Sequence, residues 1–302
     1  MSARAAAGAR RPAEGEVRLW VCANDDLGPG TATALAGHWL DEHEQATADR
    51  FIFERDRRQY LVAHVLVRRL LSLETGVPEA LIELRRSERG RPSVRPPEGG
   101  WPAAQGPLDF NLSHARGYNA IAVGRGRRVG VDVERLDRVS SRALDGIAES
   151  FTPGERVQLA RTPAEVYDRT VLRLWTLKEA YAKARGLGLG LPFDSFGFVL
   201  SDNGGVAAFE PPADDPSGTW WLLELEPEPG VLVSLAVEDG ATPMTALRLH
   251  TGFPWRPSAL RASIHPGNPV PLLAPGTLSA ALPLAGAAPH RARPTELQRS
   301  VA

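Results

Sequence analysis

The sequence feature that most constrains the fold is the stretch 172–189, which reads LRLWTLKEAYAKARGLGL. Its first part is rich in good helix formers and has neither Pro nor Gly before Gly186, so it is predicted to be a helix that ends there. Trp175, Glu179 and Lys183 follow at intervals of four residues and therefore share one face. A Glu–Lys pair at this spacing is usually a weak surface pair, so the function of this face depends on partners elsewhere in the chain.

The composition excludes several classes of protein. The chain has 302 residues, enough for one large or two medium domains, and 43% of them are apolar, as in an ordinary globular protein. A formal net charge of -1 gives no field that would attract nucleic acid or a membrane. The single Cys22 excludes an intramolecular disulfide and a cysteine-based metal cluster. The sequence also lacks a membrane-spanning apolar run and a secretory signal, so we expect a cytoplasmic protein.

Changes in composition along the chain predict four regions. Residues 1–14 are expected to be a disordered tail, and 15–128 and 129–251 are expected to be an N-terminal and a C-terminal half. Residues 252–302 are rich in Pro and Ala and are expected to be a poorly ordered extension. Each half runs helix, turn and then several strands, which would fit an ancient duplication. The pattern indicates an α+β fold.

Hydrophobic periodicity predicts the main elements of each half. Helices are predicted at 35–53, with Glu44 facing outward, and at 55–73, with His64 packed in an apolar stripe rather than binding a ligand. A further short helix is predicted to be capped by Thr152. Strands are predicted at 81–84, 108–113, 120–123, 128–134, 193–200, 205–209, 219–225 and 231–237, the last four in a mostly antiparallel sheet.

Two carboxylates on one predicted strand form the second notable feature. Asp132 and Glu134 alternate with valines, so both project from the same face, roughly 7 Å apart. They could lie on the solvated outer face of an edge strand. They could also be two oxygen ligands for Mg²⁺, which prefers a few carboxylates together with water and phosphate oxygens. Glu179 would be the third carboxylate of such a site.

A Ser-His pair at the end of a predicted strand is the third feature. Ser113 and His114 offer a hydroxyl and an imidazole, both able to donate a hydrogen bond to a phosphate. They do not fit a nucleophile–base pair, because they are adjacent and no Gly-x-Ser-x-Gly elbow is present. Neither a Gly-x-Gly-x-x-Gly run after a strand nor a Walker-type phosphate loop occurs in the sequence.

Taken in order, these motifs resemble those of the Sfp-type 4′-phosphopantetheinyl transferase superfamily. The family pattern Gly-basic-Pro stands here at 90–92, Phe-Asn-x-Ser-His at 110–114, and Gly-x-Asp-x-Glu at 130–134. The pattern Trp-[Ser/Thr]-x-Lys-Glu-x-aromatic-x-Lys stands at 175–183, and a glycine-rich run follows it at 186–196. The resemblance covers roughly residues 16–240. Any one motif would be weak, but the combination is highly specific.

The resemblance implies a fold and a reaction. The fold would be the pseudo-duplicated α+β fold of two similarly built halves, with the active site in the cleft between them. The reaction would transfer the 4′-phosphopantetheine arm of coenzyme A, with Mg²⁺, to a serine of an apo carrier-protein domain and release 3′,5′-ADP. Peptidyl, acyl and aryl carriers are the expected partners, in natural-product pathways such as nonribosomal peptide, polyketide or antibiotic biosynthesis, and we expect a monomer.

The resemblance also assigns roles to the carboxylates and lysines. Asp132, Glu134 and Glu179 would hold Mg²⁺, and Glu179 would also take the proton from the incoming serine. Lys183 would neutralise or protonate the departing phosphate. Lys178 belongs to the same motif and is assigned to cofactor binding with Lys183.

Further residues are assigned to coenzyme A by their place in the motifs. Arg91, Ser113 and His114 match positions that contact its phosphates. Relatives often carry an Arg where this chain has Gln59, and Arg58 is expected to take over that function. The predicted cofactor-binding set is therefore Arg58, Arg91, Ser113, His114, Asp132, Lys178 and Lys183.

Two predictions concern the neighbourhood of the site. Glu155 falls where some relatives place an additional acid, which would be a further base. The segment after Glu134 has a basic and apolar pattern that would suit docking of an acidic carrier helix, or would simply be an ordinary surface helix. Its members are Arg135, Arg138, Val139, Arg142, Leu144 and Ile147. The alternative functions are a non-catalytic coenzyme A-binding protein and a Mg²⁺-dependent nucleotide pyrophosphohydrolase.

Overall fold

The chain forms four layers, in which two sheets pack face to face and helices cover the outer face of each sheet. The computed structural model describes residues 15–101, 106–201, 205–215, 219–239, 244–255, 260–264 and 290–291. The predicted tail at 1–14 lies outside the described residues. The α+β class and the organisation into two similarly built halves are confirmed, since each half places helices on one sheet.

The described residues form six α-helices and thirteen strands. The helices are α1 (Pro29–Trp39), α2 (Glu42–Ala48), α3 (Glu54–Thr75), α4 (Ser141–Ala148), α5 (Pro153–Ala160) and α6 (Ala164–Arg185). The strands are β1 (Glu16–Ala23), β2 (Leu84–Arg86), β3 (Pro92–Val94), β4 (Leu108–Ala115), β5 (Tyr118–Arg125), β6 (Val129–Arg135), β7 (Gly197–Leu200), β8 (Val206–Glu210), β9 (Thr219–Glu228), β10 (Val231–Glu238), β11 (Ala246–Thr251), β12 (Leu260–Ile264) and β13 (His290–Arg291).

The two large sheets are ordered β12-β11-β1-β5-β4 and β13-β9-β10-β6, and β2–β3 and β7–β8 form separate small sheets. β1 runs parallel to β11, and the other pairs are antiparallel. Alternate residues of β1 fill two different cores: Leu19 lies between the sheets, while Trp20 lies under the helices of the first half. Because both faces of these strands are buried, the sequence shows nearly continuous apolar runs.

The predicted helix at 35–53 is wrong, because the chain breaks it at Asp41. The Asp41 carboxylate accepts a hydrogen bond from the backbone N–H of Glu44, and the Glu44 carboxylate accepts one from the backbone N–H of Asp41. These two bonds form a capping box that starts α2. The expectation that Glu44 faces outward is also wrong. It is buried, and its carboxylate pairs with the buried guanidinium of Arg68 at 2.6 Å.

The second predicted helix is confirmed as α3, which ends at Gly76 with a φ of 76°. His64 packs within this helix layer, where its ring stacks on Tyr60 with 3.8 Å between the ring centroids. Burial lowers the pKa of His64 to about 4, so the ring is neutral at physiological pH.

Two predicted strands begin too early. Pro78 and Pro192 each precede a short 3₁₀ turn, at Glu79–Leu81 and Phe193–Ser195, and β2 and β7 start only after these turns. The predicted sheet of the last four strands is also divided. β7 and β8 pair with each other, whereas β9 and β10 join β6.

The C-terminal part of the chain returns to the first sheet. β11 lies within the range that the sequence placed in the C-terminal half, yet it pairs in parallel with β1, and β12 continues that sheet. Phe253 is buried in the core under α3, so the expectation of poor order is wrong for residues 252–255. Most of the Pro/Ala-rich extension lies outside the described residues. β1 and β11 are more than 200 residues apart in the sequence, so no local sequence pattern predicts that they pair.

Helix α6 lies directly on β6, and this contact places the site. A Cβ atom at Gly130 would be 2.0 Å from the carbonyl oxygen of Ala180, so only glycine allows this approach. α6 is longer than predicted, since it begins at Ala164, and it ends as predicted at Gly186 with a φ of 70°. None of the described helices combines the length and hydropathy that a membrane span requires.

Candidate active site

The site is built at the seam where the two sheets meet. β4 and β6 are edge strands of different sheets, and polar side chains of β4 take the place of the missing strand-to-strand hydrogen bonds. Asp109, Asn111 and Ser113 alternate along β4 and so project from one face. The bonds run from Val129 N to Asp109 Oδ2 at 2.9 Å, from Val131 N to Asn111 Oδ1 at 2.9 Å and from Val133 N to Ser113 Oγ at 3.3 Å.

This seam brings Asp132 against Ser113 and Lys183. Asp132 Oδ1 accepts the Ser113 hydroxyl at 2.8 Å and the Lys183 ammonium at 2.5 Å. The ammonium also donates to Ser113 Oγ at 3.0 Å. The Ser113 hydroxyl therefore orients Asp132 and Lys183. The resemblance had assigned Ser113 only to the coenzyme A phosphates.

Two further carboxyls lie beside this group. Burial raises the pKa of Glu134 to about 7, and the charge of Asp132 adds to the rise. Burial also raises the pKa of Glu179, against the opposing effect of Lys183, whose Nζ lies 4.0 Å from Glu179 Oε2. The Lys183 charge opposes the rise at both glutamates but does not offset the effect of burial.

These three carboxyls are oxygen ligands of the type that suits a divalent cation, although the described residues do not bring them together as a formed metal site. Asp132 Oδ2 is buried and has no hydrogen-bond donor among the described residues, so it is an unsatisfied anionic ligand. Oxygen donors of this kind are what Mg²⁺ prefers. Within the described ranges, no three His, Cys, Asp or Glu side chains converge at metal-binding distance, and the Lys183 ammonium supplies the positive charge beside Asp132.

A cleft of about 560 Å³ adjoins the seam, a volume typical of small-molecule sites. It brings together His114, Arg58 and Gln59 from the sequence prediction. It also adds Arg55 and Arg116, which the sequence analysis missed because they lie in no motif. Its full lining is Asn24, Asp25, Phe51, Arg55, Asp56, Arg58, Gln59, Tyr60, His114, Ala115, Arg116 and Gly117.

Two of these cleft residues have informative surroundings. Packing of neighbouring groups lowers the pKa of His114, and the Lys183 charge lowers it further, so the neutral ring is favoured. Arg58 is held by the loop before α1, because its Nη2 donates to the carbonyl of Asn24 at 3.0 Å and to Asp25 Oδ1 at 2.9 Å. The guanidinium therefore stands at the cleft in a defined orientation.

The guanidinium of Arg91 bonds to groups of the seam. Its Nη2 pairs with Asp109 at 2.7 Å and donates to the carbonyl of Val129 at 2.9 Å, and Nη1 donates to the carbonyl of Lys183. The side chain thus joins β4, β6 and the end of α6. These contacts place Arg91 in the support of the seam, while its assignment to coenzyme A binding stays a prediction.

The assignment of Lys178 to cofactor binding is wrong. Lys178 is 0% exposed, and its Nζ contacts Glu155 Oε2 at 2.9 Å and the carbonyls of Phe193 at 2.7 Å and Phe196 at 2.6 Å. Glu155, the predicted additional base, is equally buried and also accepts the backbone N–H of Phe198 at 2.9 Å. Both side chains are buried in the core of the C-terminal half, and neither lines the cleft beside the seam.

The predicted docking patch is smaller than expected. Leu144 is 1% exposed and belongs to the core, and Val139 and Ile147 are partly buried against that core. Arg135 and Arg138 both pair with Asp137, at 2.8 Å and 3.2 Å. The sequence pattern marked an amphipathic helix, and the structure shows that its apolar face points inward.

Two family models match the chain. A model described as the 4′-phosphopantetheinyl transferase superfamily matches residues 128–231, and a model described as 4′-phosphopantetheinyl transferase, N-terminal, matches residues 30–125.

Curated relatives extend over most of the chain. A phosphopantetheinyl transferase of Thraustochytrium sp. is 33% identical over 252 residues, which cover 78% of this chain and 85% of the relative. The 4′-phosphopantetheinyl transferase HetI of Nostoc sp. is 30% identical over 243 residues, covering 80% and 90%. The 4′-phosphopantetheinyl transferase Sfp of Bacillus subtilis is 28% identical over 192 residues, covering 64% and 79%.

Proposed function

Because the chain belongs to the 4′-phosphopantetheinyl transferase superfamily, we propose that it transfers the 4′-phosphopantetheine arm of coenzyme A to a serine of an apo carrier-protein domain. The observation that carries this proposal is the seam, where Asp132, Lys183 and Ser113 bond to one another beside Glu134 and Glu179. Cleavage of a pyrophosphate needs positive charge and a base close together, and the seam offers both.

The proposed step is a displacement at phosphorus. The serine oxygen forms a bond to the phosphorus that carries pantetheine, and the bond from that phosphorus to the oxygen of the nucleotide phosphate breaks. The serine proton passes to Glu179, whose carboxylate lies one helical turn from Lys183 on α6. Lys183 neutralises or protonates the departing 3′,5′-ADP.

Asp132, Glu134 and Glu179 are the residues that would hold Mg²⁺. When bound, this ion would neutralise the pyrophosphate as a Lewis acid. The unsatisfied Oδ2 atom of Asp132 supports this part of the proposal, because a buried carboxylate oxygen without a donor is costly to leave alone.

The cleft would hold the nucleotide end of coenzyme A. Arg55, Arg58 and Arg116 line it together with His114, so several donors face a polyanion. The neutral His114 ring donates one hydrogen bond to phosphate without repelling Lys183.

The finer aspects of the function belong to the same proposal. Peptidyl, acyl or aryl carriers of natural-product biosynthesis are the proposed acceptors, approaching near the exposed Arg142. We also propose that the protein acts as a cytoplasmic monomer with neither nucleic acid nor membrane as partner, in keeping with a net charge of -1.

The test is to incubate the full chain with coenzyme A, Mg²⁺ and apo carrier proteins of the peptide-synthetase, polyketide and fatty-acid types, and to weigh each carrier by mass spectrometry. We expect a gain of one phosphopantetheine that disappears with EDTA and with Asp132→Asn. Release of 3′,5′-ADP without any carrier would indicate a pyrophosphohydrolase. Binding of coenzyme A with no product at all would indicate a non-catalytic protein.

A further inference from the structure

Three amide side chains form a closed ring at the floor of the cleft. Asn24 Nδ2 donates to Gln59 Oε1 at 2.9 Å, and Gln59 Nε2 donates to Asn119 Oδ1 at 2.7 Å. Asn119 Nδ2 then donates to Asn24 Oδ1 at 3.0 Å, which closes the ring. Each amide donates one hydrogen bond and accepts one within the ring, and the ring carries no charge.

The ring joins three elements that are far apart in sequence. Asn24 follows β1, Gln59 lies on α3, and Asn119 lies near the start of β5, opposite His114 in the β4–β5 pairing. Asn119 is 0% exposed and Asn24 is 9% exposed, while Gln59 is half-buried and lines the cleft with Asn24. Buried networks of this kind are rigid when every member is satisfied.

The same amides hold the turn between β4 and β5. Gln59 Oε1 accepts the backbone N–H of Gly117 at 3.0 Å, and its Nε2 donates to the carbonyl of Tyr118 at 3.3 Å. The backbone N–H of Asn24 donates to the carbonyl of Gly117 at 2.8 Å. All four hydrogen-bonding positions of the Gln59 amide are therefore occupied, and none is left for a ligand.

The elements that the ring joins carry the cationic side chains and the hydrogen-bond donors of the cleft. His114 lies near the end of β4, Arg116 lies in the β4–β5 turn, and Arg58 is the residue before Gln59. Arg58 also bonds to the carbonyl of Asn24, a ring member. A shift of any ring member would move the groups of α3 relative to those of the turn.

We propose that the ring of Asn24, Gln59 and Asn119 is the positioning device of the anion-binding cleft. It holds the turn carrying His114 and Arg116 at a set distance from Arg58, so that these groups converge on the nucleotide phosphates of coenzyme A. The inference rests on the proposed function, whose ligand it takes as given. It makes Gln59 a positioning residue and leaves phosphate binding to its neighbours.

The experiment measures affinity for 3′,5′-ADP and steady-state transfer for the full chain and three variants. Gln59→Met keeps the side-chain length and removes every amide bond. Gln59→Glu keeps the two accepted bonds but loses both donated ones and adds a negative charge. Gln158→Met is the matched control, because the Gln158 amide bridges α5 to both backbone groups of Leu200, at 3.2 Å and 3.4 Å, away from this cleft.

For Gln59→Met we expect the Kd for 3′,5′-ADP and the KM for coenzyme A to rise about tenfold, while kcat and the KM for the carrier stay within about threefold. Gln59→Glu should weaken the binding of 3′,5′-ADP further and make the loss depend on salt, because the added charge repels the phosphates. Gln158→Met should lose thermal stability with unchanged Kd. A purely structural role would lower stability in both Met variants without separating their Kd values.

The outcomes distinguish this inference from the proposed function. Wild-type protein that binds 3′,5′-ADP, with Gln59→Met binding equally well, would overturn the ring proposal alone. Wild-type protein that binds neither 3′,5′-ADP nor coenzyme A would overturn the proposed function, and the ring proposal with it. A rise in Kd confined to the Gln59 variants supports the proposal.

Discussion

Lys178 and Lys183 are the only lysines of the chain, and they stand five residues apart on α6 in very different surroundings. The ammonium of each faces three acceptors. Lys178 meets Glu155 and two carbonyls at 2.6 to 2.9 Å and is fully buried. Lys183 meets Asp132 at 2.5 Å and Ser113 at 3.0 Å, but its third neighbour, Glu179, is 4.0 Å away and the side chain is 25% exposed.

This difference in partners and exposure indicates that Lys178 has a structural role and that Lys183 can take part in the reaction. Lys178 has used all three of its donors, so it can only hold α5, α6 and the chain before β7 together. Lys183 keeps one donor without a partner at hydrogen-bond distance among the described residues, which leaves it able to bind an incoming phosphate. The two lysines belong to the same motif, so the motif does not distinguish their roles. The number of their donors that already have partners does.

The largest effect is expected from Lys178→Met. This change leaves the Glu155 carboxylate buried without its cation, which should lower the free energy of unfolding by about 3–5 kcal/mol. Urea denaturation followed by circular dichroism measures the loss. The double variant Lys178→Met/Glu155→Gln should recover part of it, because no charge then remains buried. A loss as small as that of a surface substitution would show that the pair is not a structural centre.

Lys183→Met should act on turnover instead. We expect kcat to fall by about 10²–10³-fold, because charge on the departing phosphate is no longer neutralised. Lys183→Arg should not restore it, since a planar guanidinium cannot replace a compact ammonium between Asp132 and Ser113. The carrier-modification assay measures both variants, with circular dichroism as the control for folding. Turnover within threefold of wild type would contradict the assignment.

A smaller, pH-dependent effect is expected at Glu134. Folding raises its pKa from 4.5 to about 7, so its contribution to stability is present below pH 4.5 and is lost as the pH rises through 7. In EDTA, Glu134→Gln should therefore match wild type at pH 4 and be more stable at pH 8, by on the order of 1 kcal/mol. Thermal melts at both pH values measure this.

Two controls accompany the Glu134 experiment. Substitution of the exposed Glu210 by Gln should show no such pH dependence. Addition of Mg²⁺ at pH 8 should stabilise the wild type and reverse the order of the two proteins, because the ionised carboxyl then has a cation to bind. If Glu134→Gln were less stable than wild type at pH 8 in EDTA, the carboxyls would not be competing for positive charge.

The smallest effect is expected where a short ion pair is exposed. Arg95 and Glu83 approach to 2.6 Å, a distance similar to those around the two lysines, but their side chains are 52% and 63% exposed. Water and salt screen such a pair, so Arg95→Gln should leave the melting temperature within measurement error. A clear drop would mean that distance alone, without burial, sets the value of these pairs.

Much of the site could be predicted from local patterns. Strand alternation placed Asp132 and Glu134 on one face, and helical spacing placed Glu179 next to Lys183. The capping residue Thr152 and the terminating Gly186 were also correct, because their signals lie within a few residues. Two local signals did not enter the prediction. They are the capping box at Asp41 and the prolines that precede the 3₁₀ turns before β2 and β7.

The sequence by itself determined the fold class, the family and the set of charged residues at the seam, because periodicity and motif spacing are properties of neighbours in the chain. Only the tertiary structure decided which lysine is sealed and which is open, that Ser113 and Arg91 bond within the seam, and that Gln59 closes an amide ring. It also decided that β11 returns to pair with β1. Burial and partners depend on groups far apart in sequence, and nothing local records them.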